Sequence, residues 1–271
     1  MKRGRDMGDL CSAEIMAIIL SRYYQGEILT GVGAYSTIPM ASMHIARLVH
    51  NPDLWWFTGD SSTINPKFEE LTDSASDVRN TLSPEHVARM QDIVTYDFGL
   101  WRKKTTIAVL GGLQIDKYGN TNLVCIGDYK KPKVRGPGTI GLVFTAHFSK
   151  TYYYVHHHNT RVFVEKVDFV SGPGFSPTRS KNVRAHCEGP SLVVTPIAVM
   201  GFAVFDEPAK TMYLKSVHPG HTVGEVIERT GFQLNFLKEG VVETPAPTHE
   251  EMEALYKVDP KGVLKRLRVG D

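Results

Sequence analysis

Cysteine is scarce, and its spacing suggests no pairing. Cys11, Cys125 and Cys187 are the only three in 271 residues, far apart and without a second ligand at metal-binding spacing. A disulfide scaffold and a cysteine-based zinc site are thereby excluded. An excess of one charge is also missing. The 31 Lys and Arg against 29 Asp and Glu leave a formal net charge of +2, with no long basic run, so the usual basis for nucleic-acid binding is absent. No apolar run reaches the roughly 20 residues that span a bilayer. Lys2, Arg3 and Arg5 imitate the basic start of a secretory signal, but Asp6, Asp9 and Glu14 interrupt the apolar stretch such a signal needs, and no small-residue cleavage site is evident. No membrane partner and a cytoplasmic location are expected. Repeats, low-complexity stretches and linkers are lacking too, so 1–271 reads as one large domain, with 42% hydrophobic residues to fill its core.

What is present has α/β character. Thr105–Leu110 reads as a buried strand that stops on Gly111-Gly112, where a backbone without Cβ can turn sharply. Leu113 to Asp116 alternates apolar and polar, Asp116-Lys117-Tyr118-Gly119-Asn120 is a tight turn, and Thr121–Ile126 resumes a strand. This hairpin can present Gln114, Asp116, Asn120 and Asn122 to a ligand. Upstream, Ser12 to Arg22 and Ile38 to Val49 read as helices, and Glu27–Gly31 as a strand leading to Gly31-Val32-Gly33. Leu54–Thr58 reads as a buried strand delivering Gly59-Asp60-Ser61-Ser62 at its carboxyl end, where parallel sheets place their chemistry. Residues 65–80 read as loop or short helix, and Ser83-Pro84-Glu85 as a helix start. Tyr152–Val155 and Arg161–Val167 are strand-like, Leu192–Thr195, Ala198–Phe205 and Thr211–Lys215 suggest an antiparallel finish, and helices are predicted from Thr222 to Thr230 and from Thr248 to Tyr256.

The run Gly111 to Asn122, then Ile126-Gly127-Asp128-Tyr129 and Lys131-Pro132-Lys133-Val134-Arg135, resembles the class I CoA-transferase family, in its glutaconate-type β-subunits. The likeness continues through Arg161–Val170 with Pro173-Gly174-Phe175, and returns at Phe205-Asp206-Glu207, Met212-Tyr213-Leu214, His218-Pro219-Gly220, Thr230-Gly231-Phe232 and Val258-Asp259-Pro260. It covers nearly the whole chain in order. The resemblance implies a mainly parallel open sheet flanked by helices with added antiparallel hairpins. It also implies an α-subunit partner, as αβ or α₂β₂, and an acyl-CoA substrate, with coenzyme A entering as part of that substrate and no further cofactor.

In that family a glutamate in a Glu-Ser-Gly turn attacks the thioester and then carries CoA, since a carboxylate is both nucleophile and leaving group. Counting from Pro52-Asp53, its place falls on Gly59, with Asp60 one residue on. A one-residue slip on an extended segment turns a side chain to the other face, and aspartate is a methylene shorter. Two branches of the family lack the glutamate as well. One, a hydrolase opening the last ring of a steroid-derived acyl-CoA, keeps its working glutamate on the α-subunit; the other, a decarboxylase, carries cysteine at the place of Gly59. The hydrolase branch fits better. CoA transfer through Asp60 or a partner glutamate, decarboxylation, and a non-catalytic role in completing the partner's pocket remain as alternatives.

The site expected from these residues comprises Asp60 and His147 as catalytic groups. Gly59, Ser61, Gln114, Asn120, Asn122 and Arg135 would touch substrate, and Gly138 and Gly141 of the loop Arg135–Gly141 would supply backbone donors to an oxyanion. For Asp60, Gln114, Asn120 and Asn122 a purely structural turn role reads as well, and for Arg135 a surface ion pair. In His156-His157-His158 only the first and third converge if the segment is extended, and no acid accompanies them at ligand spacing, so no metal site is expected.

Overall fold

The computed structural model describes residues 10–26, 28–58, 63–67, 70–89, 91, 105–139, 141–143, 150–177, 189–205 and 209–270. The chain divides into two compact units, Met1–Ile93 with Pro245–Asp271, and Val94–Thr244.

In the first unit, strands β1 (Ile28–Val32) and β2 (Trp55–Thr58) pair in parallel around helix α2 (Thr37–Val49). Parallel register sets Gly31 opposite Phe57, and a Cβ on Gly31 would lie 2.5 Å from the Phe57 ring. The glycine is therefore needed for close strand packing. Strands β3 (Thr63–Pro66) and β4 (Pro84–Val87) continue antiparallel. Helix α1 (Ser12–Ser21) buries Met16, Ala17, Ile18, Ile19 and Leu20 against α2 and the C-terminal helix His249–Val258, as expected of a helix apolar on nearly every side.

One expectation is corrected here. Ser83-Pro84-Glu85 opens the edge strand β4, not a helix, with Pro84 opposite Pro66. Proline is tolerated at the first residue of an edge strand, and the pairing with β3 overrides the capping signal. Residues 65–80, expected as loop or short helix, contribute the end of β3 and a 3₁₀ turn, Val78–Thr81, capped where Asp77 accepts the Arg79 N–H.

In the second unit β5 (Thr105–Leu110), β10 (Lys150–Tyr154) and β11 (Gly189–Val194) run parallel. Between β5 and β10 come two small hairpins, β6 (Gln114–Ile115) with β7 (Thr121–Asn122), and β8 (Cys125–Ile126) with β9 (Val134–Arg135). Strands β12 (Ala198–Val204) and β13 (Lys210–Val217) give the expected antiparallel finish, and β14 (Val242–Glu243) joins β13 in parallel. Tyr153, Phe163, Val193, Met200, Leu214 and Val226 anchor the core. Arg161–Val167 is not the strand its alternation suggested; only Phe163 bridges, to Ile115. Asn159 accepts the N–H groups of Arg161 and Val162 on its side chain, which turns the chain before a ladder can form. The α/β class and the added antiparallel strands agree with the sequence reading.

The C-terminal return is latched by one arginine. Arg22 grips buried Glu251 through Nε at 2.6 Å and Nη2 at 2.7 Å, and also donates to the carbonyls of Pro245 and Ala246. Glu251 itself closes a capping box with Thr248. Burial works against ionisation of Glu251, but the Arg22 bridge and the Thr248 N–H outweigh it and hold the carboxyl below its usual range. Arg22→Ala leaves that carboxylate buried without its fork, so unfolding should become easier by about 2–4 kcal/mol. Arg22→Lys, keeping charge but not the fork, should recover only part of this, read from denaturant midpoints at pH 7. Equal stability of wild type and Arg22→Ala would refute the latch.

Candidate functional site

Of the residues singled out above, Gln114, Asn120, Asn122, Arg135, Gly138 and Gly141 fall among the described residues, in the chain that follows β5. In the first unit β1 and β2 end level, Val32 opposite Thr58. Beyond β1, Tyr35 has φ +54° and is 82% exposed, while its N–H donates to Ser74 Oγ at 3.1 Å. A non-glycine residue in the left-handed region is held there by its surroundings and marks a loop for attention. Sequence reasoning passed over Tyr35, since nothing in its residue type announces a positive φ. Gly59, Asp60 and Ser61 come directly after β2, but they lie outside the described residues, as does His147.

In the second unit the β6–β7 hairpin is held by a web of buried polar side chains. Asp116 Oδ1 accepts the N–H groups of Tyr118 and Asn120 at 3.0 Å each, and Oδ2 accepts the Asn120 amide at 2.8 Å. Asn120 Oδ1 accepts the Gly174 N–H at 2.8 Å. Asn122, fully buried, donates to Gln114 Oε1 at 2.7 Å and to the Cys125 carbonyl at 2.6 Å, and accepts the Val124 N–H at 2.9 Å. Gln114 in turn accepts the Asp168 N–H and donates to Asp168 Oδ2, which also accepts the Gly127 N–H. Gln114, Asn120 and Asn122 are thus brought together, but onto each other and the backbone. Burial raises the Asp116 carboxyl to about 6 against the pull of its hydrogen bonds to Asn120 and Tyr118. Gly119, at φ +75°, makes the turn, and Gly174 passes so close that a Cβ would sit 2.1 Å from the Tyr118 carbonyl oxygen.

The glycine loop and Arg135 are engaged locally. Gly138 has φ +108°, and its N–H, expected to face an oxyanion, donates to the Leu123 carbonyl at 3.1 Å. Gly141 lies three residues further on. Exposed Arg135 donates to the Tyr129 carbonyl at 3.0 Å and lies over the Tyr129 ring at 5.2 Å, with no ion pair among the described residues.

A second buried web, which the sequence reading did not anticipate, lies beyond the ends of β10 and β11. His158 sits between Thr195 Oγ1 and Thr230 Oγ1, 3.0 Å from each, and stacks on Phe163 at 4.3 Å. Thr230 Oγ1 also donates to the Val226 carbonyl at 2.7 Å, and Thr195 Oγ1 to the Ala198 carbonyl at 3.0 Å. His218 binds the Thr195 carbonyl and Thr244 Oγ1. Both are structural histidines, and no cluster of metal-binding side chains occurs among the described residues.

Comparison with known proteins bears on the class directly. The coenzyme A transferase family model matches residues 62–229, more than half of the chain. The chain is 30% identical to the B subunit of 3-oxoadipate CoA-transferase from Pseudomonas knackmussii, covering 92% of this chain and 93% of that one. To the B subunit of glutaconate CoA-transferase from Acidaminococcus fermentans it is 30% identical, over 89% of this chain and 90% of that one. The solved structure of that enzyme superposes with a TM-score of 0.82 at 28% identity, covering 94% and 97%. The cholesterol ring-cleaving hydrolase IpdB subunit of Mycobacterium tuberculosis is 27% identical over 94% of this chain and 97% of that one. The chain belongs to the coenzyme A transferase family and corresponds, over nearly its whole length, to that family's B subunits.

Burial is the main cause holding His158 and His44 down at about 3, with nearby cationic groups adding to it. A histidine kept neutral in the fold stabilises fully above the unfolded value near 6.5, and that stability is lost as pH falls toward 3. Asp116 acts in the opposite sense, favouring the fold below about 4 and losing that contribution as pH rises through 6. Between pH 6 and 5, His158→Gln should therefore lose about 1 kcal/mol less stability than wild type, measured by denaturant unfolding at both pH values. Parallel losses in the two proteins would show that His158 is not buried neutral.

Proposed function

We propose that this chain is the β-subunit of a heteromeric enzyme that hydrolyses a carbon–carbon bond of a degradation-pathway acyl-CoA, with the main catalytic glutamate on an α-subunit. The observation that carries this reading is the sequence after β2: Thr58 is followed by Gly59-Asp60-Ser61, with no glutamate. Water attack on a β-keto carbon needs a positioned base and donors toward the developing enolate oxygen, but no covalent carboxylate. In this reading Asp60 and His147 act as proton-handling groups, and Gly59, Ser61, Arg135 and the Gly138–Gly141 loop line the substrate channel. Gln114, Asn120 and Asn122 hold the β6–β7 hairpin. Coenzyme A enters with the substrate, no further cofactor is required, and the assembly is αβ or α₂β₂. Among the described residues no helix is long and apolar enough to cross a membrane.

CoA transfer is the second reading, favoured by the 30% identity to B subunits of two CoA-transferases. There Asp60 or a partner glutamate would form an anhydride with the acyl group, release CoA thiolate, and take it back as an enzyme thioester. The complex co-expressed with its α partner separates the readings when incubated with acetoacetyl-CoA, with and without acetate, and trapped by borohydride. Carbon–carbon hydrolysis gives acetate and acetyl-CoA with the thioester intact, whether or not acetate is added, and no reduced adduct on either polypeptide. Asp60→Asn should then lower turnover by about a hundredfold to ten-thousandfold, with no trapped adduct in either protein. Exchange of CoA into acetate with a trapped adduct that disappears in Asp60→Asn would overturn the hydrolase reading.

A further inference from the structure

A cavity of about 340 Å³ lies in the first unit, at the end of its sheet away from Gly33. The topology places it there. Helix α2 leaves the carboxyl end of β1 and runs back, so its last turns, with Arg47 and Leu48, reach the start of β2. Strand β3 is antiparallel to β2, and β4 to β3, so Lys67 after β3 and Glu85 in β4 arrive at the same end. Lys257, in the last turn of the C-terminal helix, completes the wall. The volume falls within the roughly 300–1,000 Å³ of small-molecule sites.

The charges in this wall do not balance. Arg47 Nη2 donates to Glu85 Oε1 at 3.0 Å, and Lys67 Nζ lies 3.9 Å from the same oxygen. Lys257 has no ion-pair partner among the described residues. Among the described residues of the wall one carboxylate thus faces three cations, an excess of two positive charges, while His44 at the cavity wall is buried edge-on against Trp56 at 5.1 Å. Glu85 is held in place and cannot swing to follow the cations. Its Oε2 accepts the Asn65 amide at 2.7 Å, and Asn65 Oδ1 accepts the Trp56 N–H at 2.9 Å. Asn65 is buried with φ +46°, a conformation a non-glycine residue keeps only when its surroundings require it. Leu48, 47% exposed, gives the same cavity an apolar side.

We propose that this cavity binds a small phosphate monoester, its phosphate between Arg47, Lys67 and Lys257 and its organic part against Leu48. A dianionic phosphate compensates both surplus charges and offers three acceptor oxygens to the guanidinium fork and the two ammonium groups. A single carboxylate would compensate only one. The site sits at the opposite sheet end from the loops after β1 and β2, so it is a second binding site and stands whichever reaction the enzyme performs.

Calorimetric titration of the assembled protein with butyl phosphate at pH 8 tests this, using butanoate and inorganic phosphate as the other arms. Saturable binding of butyl phosphate is expected with Kd of about 0.1–1 mM, at least tenfold weaker for butanoate and several-fold weaker for inorganic phosphate. Lys257→Glu, at an exposed position without an ion-pair partner among the described residues, and Arg47→Gln should each weaken butyl phosphate binding about tenfold or more. Absence of saturation, or unchanged affinity in both variants, would overturn the site. Butanoate or inorganic phosphate binding as tightly as butyl phosphate would overturn the assignment to a phosphate monoester.

Discussion

A carboxylate and three carboxamides can leave water only if their hydrogen-bonding groups find partners inside the protein. The Asp116, Asn120, Asn122 and Gln114 web meets that demand through backbone N–H groups, each other and Asp168. The rest of the second unit depends on it. Because Asp116 binds N–H groups two and four residues onward, the turn has one shape, and Gly119 must take a positive φ there. Because Asn120 takes the Gly174 N–H, the segment returning from Phe163 is pinned against the hairpin closely enough to need a glycine. A half-satisfied version of this web would destabilise the fold more than an apolar core in its place.

The same logic orders the first unit with fewer groups. Arg22 ties the C-terminal return to the end of α1, and Asn65 ties β2 to Glu85 by replacing a strand carbonyl with its own side chain. The sheet is packed closely at Gly31, where the neighbouring phenylalanine ring fills the space a side chain would occupy. These local solutions leave the carboxyl ends of β1 and β2 level with one another, Val32 opposite Thr58.

Much of this was legible in the chain. The Thr105–Leu110 strand, its glycine stop, the Gly119 turn, the capped Thr248 helix and the antiparallel finish follow from local signals that tertiary packing reinforced. The misread segments share a cause. Ser83-Pro84-Glu85 carries a good capping signal, but an edge position beside β3 was available, and pairing decided the outcome. Arg161–Val167 alternates like a strand, but Asn159 turned it away from any ladder. Side-chain roles were harder still. Gln114 and Asn122 look like ligand-facing polar residues until Asp168, 54 residues from Gln114, is seen to meet Gln114, which in turn accepts the Asn122 amide. The buried His158 depends on Thr195 and Thr230, which no short-range pattern connects to it.

The proposed reaction rests on the sequence Gly59-Asp60-Ser61 after β2, which holds no glutamate. A carboxylate one residue late and one methylene short would lose attack geometry, and misplacement by about 1 Å can cost roughly a hundredfold. A crystal structure of the assembled enzyme with an acyl-CoA bound tests this most directly, through the distance from the Asp60 carboxyl oxygens to the thioester carbonyl carbon. The account predicts that neither oxygen comes within about 4 Å along a line of attack; an aligned approach at about 3–3.5 Å would contradict it.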